Sequence, residues 1–133
     1  MATIIKVDEV ARLDRGGGVT TIPLITHRSD ASAQITTGIS TYPVGGGAPL
    51  HVHNCDEQVT LLAGRGEVEI EGEPTPLVPY DSTYIPAGVE HLFRNTGDEP
   101  MTILWIYPTQ EVTRTMLATG ETVAHLSDAD LMG

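Results

Sequence analysis

The chain has 133 residues, enough to bury a core without disulfides or a structural metal, and this length predicts one domain over residues 1–133. Its 7 Lys and Arg residues against 18 Asp and Glu residues give a net charge of -11, which disfavours nucleic acids and anionic membranes as partners. The sequence lacks a signal-peptide core and an apolar run of about 18 residues, and Cys55 is the only cysteine. We therefore expect a cytoplasmic protein without an intrachain disulfide.

Short runs rich in Val, Ile, Thr and Tyr recur between Gly, Pro and Asp breaks, a pattern typical of an all-β sandwich or barrel. In chain order, the predicted strands cover about residues 3–7, 19–26, 33–42, 57–63, 66–71, 82–86, 91–95, 101–107 and 111–115. Within 66–71, the alternation predicts that Val68 and Ile70 point inward while three glutamates lie in water. Helix is expected only as single turns, at Val7–Leu13 and at Asp128–Met132, the second capped by Ser127.

A candidate metal site is divided between two segments of the chain. The first segment carries His51, His53 and Glu57, and the second carries His91. His51 and His53 are two residues apart, so their side chains would share one face of a strand. Three imidazoles and one carboxylate suit a first-row divalent metal. The pattern predicts one divalent transition metal per chain, whether Fe, Mn, Ni or Zn.

These two segments resemble the two motifs of the cupin superfamily. Residues 45–64, GGGAPLHVHNCDEQVTLLAG, match GxxxxxHxHxxxExxxxxxG at every fixed position. Residues 80–95, YDSTYIPAGVEHLFRN, match GDxxxxPxGxxHxxxN except that Tyr80 replaces the leading glycine, a departure in a turn and not at a ligand. The resemblance implies a jelly-roll-like double-stranded β-helix barrel with short terminal extensions. It also implies that His51, His53, Glu57 and His91 converge on one ion.

The function expected of such a site follows from its open coordination. Four protein ligands leave one or two positions free on a five- or six-coordinate metal, a property of catalytic sites. We therefore predict a metal-dependent enzyme acting on a small oxygenated organic molecule, most concretely a dioxygenase-type oxidoreductase. A non-redox lyase, isomerase or polyketide-cyclase-like enzyme is one alternative, and a metal-dependent small-ligand binding or sensing module is another. Glu57 is expected to be a metal ligand, with a catalytic role as general base as the alternative.

Three aromatic residues are candidates for binding the substrate. Tyr42 offers a hydroxyl to a bound oxyanion, although a rim tyrosine with its hydroxyl in water is the simpler interpretation. Phe93 shares the strand face of His91, so it is expected to line the cavity. Trp105 is the only tryptophan and suits either the pocket or a subunit interface. His125 lies outside both motifs and is expected to be a surface or packing residue.

The stretch TILWIYPTQEVTRTML, which follows the second motif, is apolar on both strand faces. Trp105 and Tyr107 alternate there with Leu104 and Ile106. A strand that is apolar on both faces must be covered on both. In so short a chain, a second subunit can supply that cover, and we therefore predict a homodimer.

Overall fold

Two six-stranded antiparallel sheets make up the structure, a computed structural model that describes residues 2–132. The strands are β1 (Leu13–Asp14), β2 (Thr20–Pro23), β3 (Thr36–Tyr42), β4 (His51–His53), β5 (Glu57–Ala63), β6 (Gly66–Ile70), β7 (Glu73–Leu77), β8 (Ser82–Ile85), β9 (His91–Asn95), β10 (Met101–Tyr107), β11 (Thr113–Met116) and β12 (Thr122–Ala124). One sheet has the order β1-β2-β3-β10-β5-β8 and the other β12-β11-β4-β9-β6-β7. The chain thus passes repeatedly between the sheets, as in a jelly roll, and the predicted all-β barrel is confirmed.

The core lies between the two sheets and follows the alternation of the strands. In β10, the buried positions are Met101, Ile103, Trp105 and Tyr107, and the residues between them are half-buried. This strand is hydrogen-bonded to β3 on one side and β5 on the other. Val68 is buried as predicted. Each large apolar side chain that is buried contributes about 1.5–3 kcal/mol, so this core stabilises the fold whether or not a metal is bound.

Helical structure among residues 2–132 is limited to one 3-10 turn at Val7–Glu9. That turn lies within the predicted turn at Val7–Leu13, whereas the strand predicted over 3–7 is wrong because those residues pair with no other strand. The second helical turn, predicted at Asp128–Met132, is also wrong, since the chain there forms turns and irregular structure. No helix in this part of the chain is long and apolar enough to cross a membrane.

Strand β7 was not predicted because it contains Pro74 and Pro76. Proline cannot donate a hydrogen bond to a neighbouring strand, so two prolines in five residues argue against a strand inside a sheet. β7 tolerates them because it is the outermost strand and pairs only with β6. Strand β12 was also missed, since it is only three residues long.

Tyr80 keeps the backbone conformation that the motif assigns to glycine. Its φ is 76°, in the left-handed region, and its side chain is 79% exposed. A 3.0 Å hydrogen bond from the Asp81 amide to the Val78 carbonyl closes the turn, and a 2.7 Å hydrogen bond from the Tyr80 amide to the Leu61 carbonyl ties it to β5. Left-handed conformations cost a non-glycine residue about 1–2 kcal/mol. The substitution therefore strains the turn and leaves its geometry in place.

Candidate metal centre

The strands bring the three predicted histidines together inside the barrel. His51 lies directly opposite His91, where β4 pairs with β9, so both side chains point to the same face. His53 follows two residues later on β4 and shares that face. All three side chains are buried, and their ligand atoms lie within 4.8 Å of one another. The three histidines can therefore hold a metal ion.

The outer nitrogen of each ring is held by a backbone carbonyl. Nδ1 of His51 is 2.6 Å from the Pro49 oxygen, Nδ1 of His53 is 3.0 Å from the Thr113 oxygen, and Nδ1 of His91 is 2.9 Å from the Val89 oxygen. Because a carbonyl oxygen only accepts, each Nδ1 carries a hydrogen and donates it. Carbonyl partners of this kind orient metal-binding imidazoles and direct their Nε2 lone pairs towards the ion.

The electrostatic environment favours neutral imidazoles in this cluster. Burial lowers the pKa of His51 well below 6.5, and the nearby His91 and His53 lower it further. Burial also lowers the pKa of His53, although the negative charge of Glu57 opposes the shift. A histidine must be neutral to bind a metal, so these two rings are ready to act as ligands at pH 7.

Glu57 lies beside the histidines at the start of β5. Its Oε1 is 3.0 Å from Nε2 of His91, and its Oε2 is 3.8 Å from Nε2 of His53. Burial raises the pKa of the Glu57 carboxyl, but the His91 hydrogen bond and the charges of the two histidines outweigh it and, with the Tyr107 hydroxyl, lower its pKa to about 2. The carboxylate is therefore charged at every physiological pH.

Tyr107 is a site residue that sequence reasoning missed. Its hydroxyl donates a 2.5 Å hydrogen bond to Glu57 Oε2 and lies 3.2 Å from Nε2 of His53. Burial raises the pKa of the Tyr107 hydroxyl well above 10, and the charge of Glu57 adds to the effect, so the hydroxyl stays protonated. The sequence could have indicated its position, because Tyr107 is two residues from Trp105 and therefore shares its strand face.

All three predicted substrate residues line the cavity beside the histidines: Tyr42, Phe93 and Trp105. Tyr42 is only 2% exposed, so its interpretation as a rim tyrosine in water is wrong. Burial raises the pKa of its hydroxyl to about 12, which keeps it a hydrogen-bond donor. Trp105 is buried within the chain and donates from Nε1 to Ser40 Oγ at 2.9 Å, so it belongs to the cavity and not to a subunit interface.

His125 also lines this cavity, although it lies outside both motifs. Its ring packs edge-on against Trp105 and Tyr107, with ring centroids 4.9 and 5.0 Å apart. Burial lowers the pKa of His125 well below 6.5. The expectation of a packing residue is met, and the residue is half-buried. Arg15 and Arg114 also line the cavity, and no pattern in the sequence distinguished them.

Comparisons with known sequences agree with the two motifs. The family profile described as the cupin domain matches residues 38–107, more than half of the chain. Protein SchB from Streptomyces halstedii is 33% identical over 98 residues, which cover 73% of this chain and 70% of SchB. Polyketide synthase CurC from Streptomyces cyaneus is 34% identical over 86 residues, covering 64% of this chain and 54% of CurC. Mannose-1-phosphate guanylyltransferase from Klebsiella pneumoniae is 39% identical over 57 residues, which are 43% of this chain and only 12% of that enzyme.

Solved structures share the fold at low identity. A cupin-2 domain from Rhodospirillum rubrum has a TM-score of 0.73 at 21% identity and covers 87% of this chain and 80% of its own. The polyketide cyclase RemF from Streptomyces resistomycificus has a TM-score of 0.72 at 18% identity, covering 98% of this chain and 89% of RemF. Oxalate decarboxylase OxdC from Bacillus subtilis has a TM-score of 0.73 at 21% identity, covering 84% of this chain and 31% of OxdC. Together with the profile match, this shared barrel shows that the chain belongs to the cupin family.

Proposed function

We propose that this protein is a mononuclear metal-dependent enzyme that acts on a small oxygenated molecule without net oxidation, as a polyketide cyclase, lyase or isomerase does. The observation that carries the proposal is the pair of acceptor nitrogens that face one another inside the barrel: Nε2 of His51 lies 3.2 Å from Nε2 of His53. Because Nδ1 of both rings donates outward to a carbonyl and the pKa of both rings is lowered, the two Nε2 lone pairs repel unless a cation lies beside them. His91 and Glu57 lie alongside, with Nε2 of His91 3.0 Å from Glu57 Oε1.

His51, His53 and His91 would hold the metal, with Glu57 as the fourth ligand. A divalent metal bound here would polarise a substrate carbonyl and stabilise the enolate formed from it. Ligation suits Glu57 better than a role as general base, because a base is most effective with a pKa near the working pH and that of Glu57 is about 2. Tyr107 fixes the carboxylate by donating to its second oxygen.

Tyr42, Phe93 and Trp105 would form the substrate side of the site. Burial raises the pKa of the Tyr42 hydroxyl to about 12, which keeps its proton available. It can therefore donate to an oxyanion that develops on the substrate. Phe93 and Trp105 would supply apolar walls against a planar organic molecule once the cavity opens to admit it.

Non-redox chemistry is favoured over the dioxygenase because of the proteins that resemble this chain. RemF, named a polyketide cyclase, overlays 98% of the chain, and CurC is named for polyketide synthesis. These likenesses support the class of chemistry and leave the substrate open. A dioxygenase needs molecular oxygen as a substrate and a non-redox enzyme does not, so the two functions can be distinguished by whether turnover requires oxygen.

The test measures metal content first and turnover second. Protein purified without added metal should contain about one divalent transition metal per chain by elemental analysis, His51→Ala should lose it, and His27→Ala, an exposed histidine, should keep it. A β-dicarbonyl compound in deuterated water should then exchange its acidic hydrogens faster with wild type than with His51→Ala, under strict anaerobiosis. Turnover that requires oxygen would establish the dioxygenase and overturn the non-redox proposal.

A further inference from the structure

Two buried arginines lie beside the metal centre and have no part in the function proposed above. Arg114 is 1% exposed and Arg15 is 3% exposed, and both line the cavity that contains His51 and His53. Arg114 lies directly opposite His53 where β11 pairs with β4, so the two side chains share the inner face of the barrel. A guanidinium group therefore adjoins the metal ligands.

One carboxylate lies between these two guanidinium groups. Asp130, which is fully buried, accepts a 2.7 Å hydrogen bond from Arg15 Nη2 at Oδ2. Its Oδ1 lies 2.6 Å from Arg114 Nε, but the two atoms lack the alignment of a hydrogen bond. The cluster thus contains two positive charges, one negative charge and one poorly aligned contact. Most of the remaining guanidinium nitrogens are hydrogen-bonded, to the Asp130 and Leu131 carbonyls, Thr21 and Met132. Buried charges are costly unless they are paired, and one positive charge of this cluster has no carboxylate of its own.

Asp130 belongs to a stretch that we call the closing segment, residues 126–132. This segment contains no strand and follows β12 at the end of its sheet. Polar contacts to the arginines hold it in place: the Met132 amide donates to the Arg15 carbonyl at 2.6 Å, and Arg114 Nη2 donates to the Leu131 carbonyl at 2.5 Å. The segment is therefore attached to the barrel both by the arginines and by the apolar contacts of Leu126 and Met132 with the core.

Two cavities meet at His125, the residue that precedes the closing segment. The inner cavity at the metal ligands has a volume of about 20 Å³, enough for roughly one water molecule and too small for an organic substrate. An outer cleft of about 310 Å³ is lined by Leu126 and by His125, and His125 also lines the inner cavity. Ligand pockets in proteins measure about 300–1,000 Å³. A substrate needs more room at the metal ligands than this structure offers, and movement of the closing segment, which supplies Met132 to the inner cavity and Leu126 to the outer cleft, would provide it.

We propose that Arg15 and Arg114 form a subsite for a carboxylate group of the substrate, and that Asp130 occupies this subsite until the substrate displaces the closing segment. Guanidinium groups bind carboxylates through paired, charge-assisted hydrogen bonds, and the present occupant is itself a carboxylate. The substrate class is accordingly a small carboxylic acid with a second oxygen group directed at the metal. That second group rests on the proposed function, whereas the anion subsite rests on the arginines alone.

The first experiment uses wild-type protein and hydrogen exchange measured by mass spectrometry, with benzoate as the probe and neutral benzamide as the matched control. Benzoate should speed exchange of the amides of Leu126, Asp130 and Met132 about tenfold, because their hydrogen bonds lie in or anchor the closing segment. Benzamide should not. Unchanged exchange at saturating benzoate, or the same change with benzamide, would overturn the proposal.

The second experiment compares Asp130→Asn with Asp128→Asn, an exposed carboxylate two residues away. Removal of the internal competitor should tighten benzoate binding at least about tenfold in Asp130→Asn, measured by calorimetry, and leave Asp128→Asn like wild type. At a tenfold excess over Kd, benzoate should raise the Tm of Asp130→Asn by about 5 °C. Unchanged affinity in a folded Asp130→Asn protein would refute the subsite, and if that variant does not fold, the wild-type exchange experiment decides.

A chelator distinguishes this subsite from the metal. Benzoate could also bind through a metal ion, so both experiments are repeated after chelator treatment. Binding to the arginines should persist in the metal-free protein, whereas binding that vanishes with the metal would contradict the proposal. Failure of the arginine subsite would leave the metal content of the protein unchanged, and failure of the metal assignment would leave benzoate binding unchanged.

Discussion

Tyr107→Phe tests whether the carboxylate of Glu57 is held ready for a metal. The substitution removes the 2.5 Å hydrogen bond to Glu57 Oε2 and leaves that buried oxygen without a donor. A hydrogen bond to a charged group contributes about 1.5–3 kcal/mol. The part of this free energy that depends on the bound metal lowers metal affinity, and removal of a group that hydrogen-bonds a metal ligand typically lowers it by about 10-fold to 100-fold, which is the loss we expect.

The affinity is measured by competition with a metal chelator of known strength, at pH 7.5 and fixed ionic strength. Tyr84→Phe is the matched control, because the Tyr84 hydroxyl also donates to a carboxylate, that of Asp56, at an exposed site. That variant should bind metal as wild type does. Urea unfolding of the metal-free Tyr107→Phe protein should also show a lower free energy of unfolding, since the loss affects the apo barrel too.

A twofold or smaller change in the metal affinity of Tyr107→Phe would refute the reasoning. It would mean that Glu57 contributes little to the site, or that its orientation is set by His91 alone. An equal loss of affinity in Tyr84→Phe would also refute it, because the effect would then be unrelated to the inner cavity.

Three further predictions concern stability and assembly. The metal-free protein should lose stability as pH falls below about 6.5, because folding lowers the pKa of His51, His53 and His125, so that the unfolded chain binds more protons than the folded one. Stability should fall further below about pH 4.5, where Glu57 takes up a proton in the unfolded chain before it does so in the folded one. A urea midpoint that stays constant or rises from pH 7.5 to pH 5 would contradict this. Tyr80→Gly should raise the free energy of unfolding by about 1 kcal/mol by relieving a φ of 76°, whereas Tyr80→Ala, which keeps the left-handed penalty, should give no gain in the same urea titration. We also propose a homodimer, which light scattering at micromolar concentration should detect as twice the monomer mass, and the mass of a single chain would contradict it.

Much of the candidate metal site was predictable because the residues that could hold a metal lie in short, ordered spacings. His51 and His53 are two apart on one strand, so their common face follows from strand geometry. The pairing of His51 with His91 required the fold, which the two motifs implied. The same alternation places Tyr107 on the face of Trp105, but a tyrosine in an apolar strand looks like a core residue until its partner is known.

Strand prediction failed where the position in the sheet overrides local preference. β7 contains two prolines and forms a strand only because it lies at an edge. Residues 3–7 have strand-forming residues but no neighbouring strand to pair with. Backbone pairing in a sheet is a property of two segments, so a pattern within one segment predicts it incompletely.

The arginine cluster lies beyond any local pattern, and its position would allow an acidic chain to bind the acidic substrate proposed above. Arg15 and Asp130 are 115 residues apart, so only the folded chain brings them together. The protein has a net charge of -11, which repels a free carboxylate at long range. Inside the barrel, two guanidinium groups face one Asp130 carboxylate, and charge interactions there are weakly screened by salt. The electrostatic potential of the two arginines at the subsite thus opposes the potential of the acidic protein as a whole. The affinity for a carboxylate should therefore depend on Arg15 and Arg114 far more than on ionic strength.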